Sequence, residues 1–346
     1  MKITSKMTQA LFLGVIFLFI SAFAGNVLVG DARAQSCIQP PEGMVSWWPG
    51  DGNTDDIVGG NDGTLVNGTT FALGKVGEAF SFDGVDDVVW AAGTGIDDLQ
   101  ELTIDAWVKL NSMDRDEERF VTLTGEKAVL RHDGFNSLGQ LHFYMNFGEE
   151  YPDDDLHHIR VYDVLGVGVW YHVAGTYDGE VMRLYLDGSE VDNLPVTGTV
   201  HTGSGVELSS EAEPINGLLD EVEIFSRALG ADEISAIYNA DSAGKCKATV
   251  ALISAVETIN ELDPKNFKNK NLGNALNNKI NAALAMIDEG LYADALDKLQ
   301  HDILQKTNGC ADTGKPDKND WITTCEGQGQ VYPLISEAIE LLEKLT

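Results

Sequence analysis

The sequence predicts a mainly β protein, a two-sheet antiparallel sandwich followed by a small all-α domain, and three observations carry that reading. The first is the stretch Val169 to Gly188, where Trp170, His172 and Ala174 alternate with Tyr171, Val173 and Gly175, and Met182, Leu184 and Leu186 alternate with Arg183 and Tyr185. Period-two patterning on both sides of Tyr177-Asp178-Gly179, with a second Asp-Gly at Asp187-Gly188, is the sequence form of an antiparallel hairpin. The second is punctuation: Gly 36 against Pro 9 in 346 residues fits many tight turns rather than disorder. The third is a change of period near Gly244-Lys245-Cys246, beyond which apolar residues recur at helical spacing.

In chain order, Met1 to about Ala34 reads as an export signal, with Lys2 and Lys6 first, an apolar run from Ala10 to Ala24, and small residues at Ala32-Arg33-Ala34. An earlier cut after Ala22-Phe23-Ala24 stays open, and so does a retained anchor, because the run is nearly long enough to span a bilayer. Ala34-Gln35-Ser36 lacks the aliphatic residue that lipid attachment at Cys37 needs. No later stretch is long and apolar enough to span. The expectation is therefore a chain with no membrane insertion after signal removal, secreted, at the cell surface or in the periplasm.

From Gly43 to Tyr238 the pattern is almost entirely strands and turns: Met44 to Pro49, Gly63-Thr64-Leu65, Ala79 to Phe82, Val88-Val89-Trp90, Leu102 to Leu110 and Leu141 to Phe147. Short strands at regular spacing indicate a sandwich. The tail then carries Val250, Ile253, Val256 and Ile259; Leu276, Ile280, Ala283, Leu284 and Ile287; Ala295, Leu299 and Ile303; and Leu334, Ile335, Ala338, Leu341 and Leu342. Asp263-Pro264, Gly290 and the Gly309 to Gly329 loop separate these runs. The expected domains are a signal peptide (1–34), a sandwich (37–246) and a helical domain with a disulfide-closed loop (247–346).

A net charge of −32 argues against nucleic acid, whose binding needs a basic face. The charge is uneven, about −28 over 1–244 and −4 over 245–346. Cys37, Cys246, Cys310 and Cys325 form an even set in an exported chain, which favours disulfides over metal ligands or a catalytic thiol. Spacing suggests Cys37 with Cys246 and Cys310 with Cys325. The second closes a short loop and contributes about 3 kcal/mol if unstrained. The first clips two ends of one domain, which requires that those ends meet.

Five segments in order carry a family resemblance: Gly43 to Asn53, Gly77 to Asp87, Ile104 to Lys109, the hairpin, and Gly217 to Ile224 with Arg227-Ala228-Leu229. Together they resemble the laminin-G-like, concanavalin-A-like jelly-roll domain of bacterial secreted proteins, over roughly 43–240. The resemblance implies two antiparallel sheets with adjacent chain ends, and so supports the Cys37 to Cys246 pairing. Leu276, Lys279, Ile280, Ala283, Ile287, Gly290, Tyr292, Ala295 and Leu299 resemble a helical module that follows such domains, although the Cys310 to Cys325 segment stands where that module has an apolar continuation.

Carboxylates in Gly-rich loops are the hard oxygen ligands of Ca2+. Asp51 and Asn53 in one loop and Asp220 and Glu221 on the last strand are the expected metal set for a structural Ca2+. Period-two counting puts Asp220 on the face of Val222 and Ile224, where an unpaired carboxylate is costly. The alternative is that Asp and Asn only make turns here. Asp153-Asp154-Asp155 with His157 and His158 reads first as a solvated loop. Glu221 and Glu223 share a face at a spacing near the roughly 5–5.5 Å of a retaining glycosidase pair, but Phe225 stands where a third acid is needed, so catalysis is the weaker reading. No Gly-x-Ser-x-Gly elbow occurs.

Ring faces that stack on sugars are the remaining chemistry. Trp47, Trp48, Trp107 and Trp170 lie in the family motifs and are expected in the core. Trp90, Tyr144, Tyr151 and Tyr162 are the expected ligand-binding aromatics, because Phe143 to Tyr162 departs most from the family pattern and variable loops carry ligand choice. Trp321 is either a contact for a partner of the tail or a plug for its small core. The functional expectation is a non-catalytic binding or adhesion protein for an extracellular carbohydrate or glycoprotein. The alternatives are a protein-interaction module acting through the tail and, behind both, a glycoside hydrolase.

Overall fold

The computed structural model describes residues 37–93, 99–134, 139–148, 156–200 and 205–346. The expected export signal (1–34) lies outside the described residues, as do Tyr151 and Asp153-Asp154-Asp155.

Fifteen strands are described: β1 Met44–Trp48, β2 Gly63–Val66, β3 Thr70–Leu73, β4 Glu78–Asp83, β5 Val88–Ala92, β6 Leu102–Leu110, β7 Glu117–Leu123, β8 Ala128–Asp133, β9 Gln140–Asn146, β10 Leu156–Val161, β11 Tyr171–Tyr177, β12 Val181–Leu186, β13 Ser189–Pro195, β14 Gly205–Ser209 and β15 Asn216–Phe225. Six α-helices follow: α1 Ala231–Asn239, α2 Lys247–Glu261, α3 Leu272–Asp288, α4 Tyr292–Lys298, α5 Gly309–Thr313 and α6 Cys325–Glu343. The strands form two antiparallel sheets, a jelly-roll sandwich. One has eight strands in the order β13-β12-β11-β6-β15-β4-β3, with β1 pairing β15 as well; the other has seven, β10-β9-β8-β7-β14-β5-β2.

Alternation explains the core. Ile104, Ala106 and Val108 of β6, Val173 of β11, and Leu219, Val222 and Ile224 of β15 turn inward and meet Phe120, Val121, Leu130, Phe143 and Met145 of the other sheet. Gly175 is needed here because a Cβ would lie 2.6 Å from the Phe143 ring. The hairpin pairs Thr176 with Arg183 and Tyr177 with Met182, and Asp187 and Gly188 take positive φ of 48° and 75° in the next turn.

Helix α1 lies in the stretch read from sequence as strands and turns. Its Ile234 and Ile237 pack on Ala174, Tyr185 and Phe225, covering the outward side of the eight-stranded sheet. The tail buries a separate core built from Leu252, Ile259, Leu276, Ile280, Leu299, Val331 and Ile335, the apolar stripes of its helices. Cys37 is bonded to Cys246 and Cys310 to Cys325. The first bond sits beside an isolated bridge between Ile38 and Lys245, so the two ends of the sandwich do meet.

Candidate functional site

Polar side chains collect on the outward faces of both sheets. On the eight-stranded sheet, the parity count for β15 fails at one residue. Glu221 takes φ of 53°, and the register slips between Asp220 and Glu223. One extra residue in the strand reverses the facing of everything before it. Asp220 therefore pairs with Trp107, and Glu223 with Asp105. Asp220 shares the outward face with Glu223, whereas Val222 and Ile224 line the core, contrary to the expectation from period-two counting.

The expected Ca2+ set is met by groups of the chain itself. Asp220 Oδ2 accepts from the backbone N–H of Lys75 at 2.6 Å and of Val76 at 2.9 Å. Lys245 lies against Glu221 at 3.2 Å and contacts Glu223. Lys247 reaches Glu221 at 2.7 Å and Asp51 at 2.6 Å. Asn53 is exposed, and its side-chain oxygen accepts from Asp55 N–H. Two ammonium groups thus stand where the sequence reading placed a cation. Both flank Cys246, so the disulfide to Cys37 fixes them over the sheet.

Burial dominates the electrostatics here. It pushes the Asp220 carboxyl well above the usual carboxylate range, with Glu221 adding to the rise. It pushes Glu223 up likewise, reinforced by Asp105. Burial pulls the Lys245 ammonium down, but Glu223, Glu221 and Asp105 outweigh it and the net shift is upward. Glu221 and Glu223 are 2% and 0% exposed. Buried to this degree, neither carboxyl is open to a sugar in this structure.

On the seven-stranded sheet, register places Thr64, Trp90, Glu207, Thr122, Val129, Tyr144 and His158 in one row across six strand pairings. Paired residues share a face, and the core residues Val89, Ala91, Val121, Leu130 and Phe143 occupy the other one. Trp90 is 46% exposed and Tyr162, just beyond β10, is 53% exposed. Tyr144 is 4% exposed, so it is no open platform: Arg131 lies 5.2 Å over its ring, and burial pushes its hydroxyl up to about 12. Among the expected core tryptophans, Trp47, Trp48 and Trp107 are buried.

Charged neighbours hold that sealed end. Arg119 grips Glu213 through Nε at 2.6 Å and Nη2 at 3.0 Å, and reaches Glu126 at 2.8 Å. Arg131 Nε donates to His142 Nδ1 at 3.0 Å, and His142 Nε2 lies 2.9 Å from His158 Nδ1. An arginine only donates, so His142 carries its proton on Nε2 and gives it to His158, which leaves His158 with its proton on Nε2. Burial, then the charges of Arg131 and Arg160, lowers His142 to about 2, consistent with that neutral ring. None of Arg119, Arg131, His142 or Glu213 was singled out from sequence; Val129, Arg131 and Asp133 alternating with Ala128, Leu130 and His132 was the available signal.

Beside Trp90 a cleft of about 320 Å³ is lined by Val66, Val88, Glu207, Ser210, Glu211 and Ala212. Burial raises the Glu207 carboxyl. The neighbouring turn brings carboxylate oxygens of Asp83, Asp86 and Asp87 within 4.8 Å of one another, a set of hard donors that could hold a metal ion. Asn67 ties that turn to the cleft, donating to Asp86 O at 2.8 Å and Glu211 Oε1 at 3.3 Å.

Residues 82–235 match the family model of the concanavalin A-like lectin/glucanases superfamily. Among solved structures, domain 4 of AbnA, a GH43 extracellular arabinanase from Geobacillus stearothermophilus in complex with arabinotriose, is similar at 17% identity over 56% of this chain and 96% of that one, with a TM-score of 0.48. The botulinum neurotoxin serotype D binding domain is similar at 13% identity over 57% of this chain and 50% of that one, with a TM-score of 0.46. The binding domain of Paraclostridial Mosquitocidal Protein 1 is similar at 16% identity over 57% and 52%, with a TM-score of 0.46. The chain spans about half the length of these two structures. No curated protein matches the chain.

Proposed function

We propose that this concanavalin A-like sandwich belongs to an exported, non-catalytic binding protein that holds an extracellular carbohydrate against its seven-stranded sheet at Trp90. The observation that carries the reading is the half-exposed indole of Trp90 standing in a cleft with Glu207, Ser210 and Glu211. A ring face supplies apolar contact to one side of a sugar, and the carboxylates and hydroxyl take its hydroxyl groups. Tyr162 contributes a second exposed ring on the same domain. The superfamily spans both lectins and glucanases, and the burial of Glu221 and Glu223 favours the binding side.

A glycan array read with the wild-type chain and with Trp90→Ala tests this. The expected result is a set of glycans bound by the wild type and lost in the variant; no binding across diverse glycans overturns it. Calcium enters the reading at Asp83, Asp86 and Asp87, where an ion would supply rigidity to the turn that Asn67 joins to the cleft. Ligand binding to the folded state raises the melting temperature by mass action. Calcium should therefore raise it in the wild type and not in Asp86→Asn/Asp87→Asn, and an unmoved wild type removes calcium from the reading.

A further inference from the structure

We infer that the helical tail carries a second docking surface, centred on Trp321, for an acidic polysaccharide. Trp321 is half-buried, with part of its ring packed against the tail core. Its backbone is held between two lysine-bearing segments: its N–H donates to Lys306 O at 2.9 Å, and its carbonyl accepts from Lys268 N–H at 3.0 Å. The ammonium groups of Lys279 and Lys306 each lie 5.7 Å from the ring centroid. Lys268 Nζ donates to the backbone carbonyl of Lys318 at 2.5 Å, tying its segment to the loop that carries Trp321. The Cys310 to Cys325 bond closes the loop that carries Lys318 and Trp321.

The charge balance makes this cluster unusual. In a chain of net charge −32, carboxylates are abundant, and the cations of the sandwich and its junction use them: Arg119 with Glu213, Arg131 with Glu117, Lys245 with Glu221, Lys247 with Asp51. Lys279 is paired with Asp302, which fixes it beside the ring. Among the described residues, no carboxylate lies within 4.0 Å of the ammonium of Lys268, Lys306 or Lys318. One ammonium without a carboxylate, that of Lys306, therefore stands beside the indole with the Asp302-paired Lys279, and Lys268 and Lys318 carry two more cations on the segments that flank Trp321.

A uronic acid polymer fits these features together. Its sugar rings present an apolar face to the indole and its carboxylates pair with the lysines. A flat anionic membrane or a long nucleic acid is disfavoured by the charge of about −28 over 1–244, which repels a large polyanion within a Debye length of about 8 Å. A single flexible polysaccharide strand can cross the tail alone. This surface is separate from the Trp90 cleft and does not depend on it.

The test uses the full mature chain with both disulfides intact and polygalacturonate as the probe, with neutral galactan as control. Calorimetry should show polygalacturonate binding that weakens with salt, is lost in Lys268→Glu/Lys306→Glu/Lys318→Glu, and is unchanged in Trp90→Ala. Trp321→Ala should weaken it about tenfold. Should that variant lose its fold by circular dichroism, the lysine variant decides, since Lys268 and Lys318 are exposed and Lys306 partly so. The proposal is overturned by absence of polygalacturonate binding, by retention in the lysine variant, or by tighter binding to phosphatidylglycerol vesicles or a single-stranded oligonucleotide. Loss of glycan-array binding in Trp90→Ala with polygalacturonate binding intact separates the two surfaces.

Discussion

On the outward face of the eight-stranded sheet, Asp105, Asp220, Glu221 and Glu223 are buried, and the countercharges of Glu221 and Glu223 come from Lys245 and Lys247, which are brought in from outside the sheet. On the outward face of the seven-stranded sheet, Arg119 and Arg131 stand on the strands themselves and meet Glu117, Glu126 and Glu213 without help from the tail. A face whose acids need cations from elsewhere in the chain becomes an internal junction. A face that balances its own charges needs no cover and keeps Trp90 open. The same sandwich thus packs one side against the rest of the chain and leaves Trp90 exposed on the other.

Removing the borrowed cation should break this contrast most severely. Lys245→Met leaves Glu223 buried without its ammonium and Glu221 with Lys247 alone, and losing one partner of a buried pair costs about 3–5 kcal/mol. The hydrophobic stem is kept, so the loss reports the charge. Chemical denaturation should show that drop, and a loss under about 1 kcal/mol, the scale of an exposed pair, would mean that the carboxylates are satisfied without the lysine.

The two faces should also answer pH in opposite directions. The folded Glu223 carboxyl is raised, by burial first and then by Asp105. A raised carboxyl keeps its full contribution below the unfolded value of about 4.3 and loses it as pH climbs through the folded value. Glu223→Gln should therefore gain stability relative to wild type as pH rises above the ordinary carboxylate range. Glu213 is the reverse: burial raises it, but the hydrogen bond and charge of Arg119 outweigh burial and the net shift is downward. Its contribution is present above the unfolded value and lost as pH falls. Glu213→Gln should lose stability at neutral pH, with the difference closing on acidification. Melting curves of both variants across pH 3 to 8 check this, and parallel profiles would sink the contrast.

Much of the sandwich was legible because burial on one face writes period two into a strand, as in β6, β9 and the hairpin. The strands β8 and β10 are not legible, since Arg131, His132 and His158 interrupt the apolar rhythm with groups that are satisfied only by partners on other strands. The sequence places Asp220 on the core face of Val222 and Ile224, whereas it is buried on the outward face against the N–H groups of Lys75 and Val76. Its facing was misread because a bulge at Glu221 leaves no mark in composition or spacing. The N–H groups of Lys75 and Val76 that answer it sit 145 and 144 residues earlier in the chain, and only the fold places them there. Trp90 stood out as an aromatic outside the family motifs, whereas the cleft beside it needs β2, β5 and β14 in register.

The smallest stability effect should come from Trp90, the proposed sugar platform. Trp90 is 46% exposed, so truncation forfeits only part of the roughly 1.5–3 kcal/mol that fully burying a large apolar side chain provides. The indole makes no hydrogen bond among the described residues, and its neighbours Thr64 and Glu207 are held through the backbone ladder. Trp90→Ala should therefore cost about 1 kcal/mol or less in denaturation while abolishing glycan-array signal. The same truncation at Tyr144, 4% exposed beneath Arg131, should cost about 3 kcal/mol or more, in the range for buried aromatics. If Trp90→Ala proved as destabilising as Tyr144→Ala, the indole would be part of the scaffold and the open face would have no anchor.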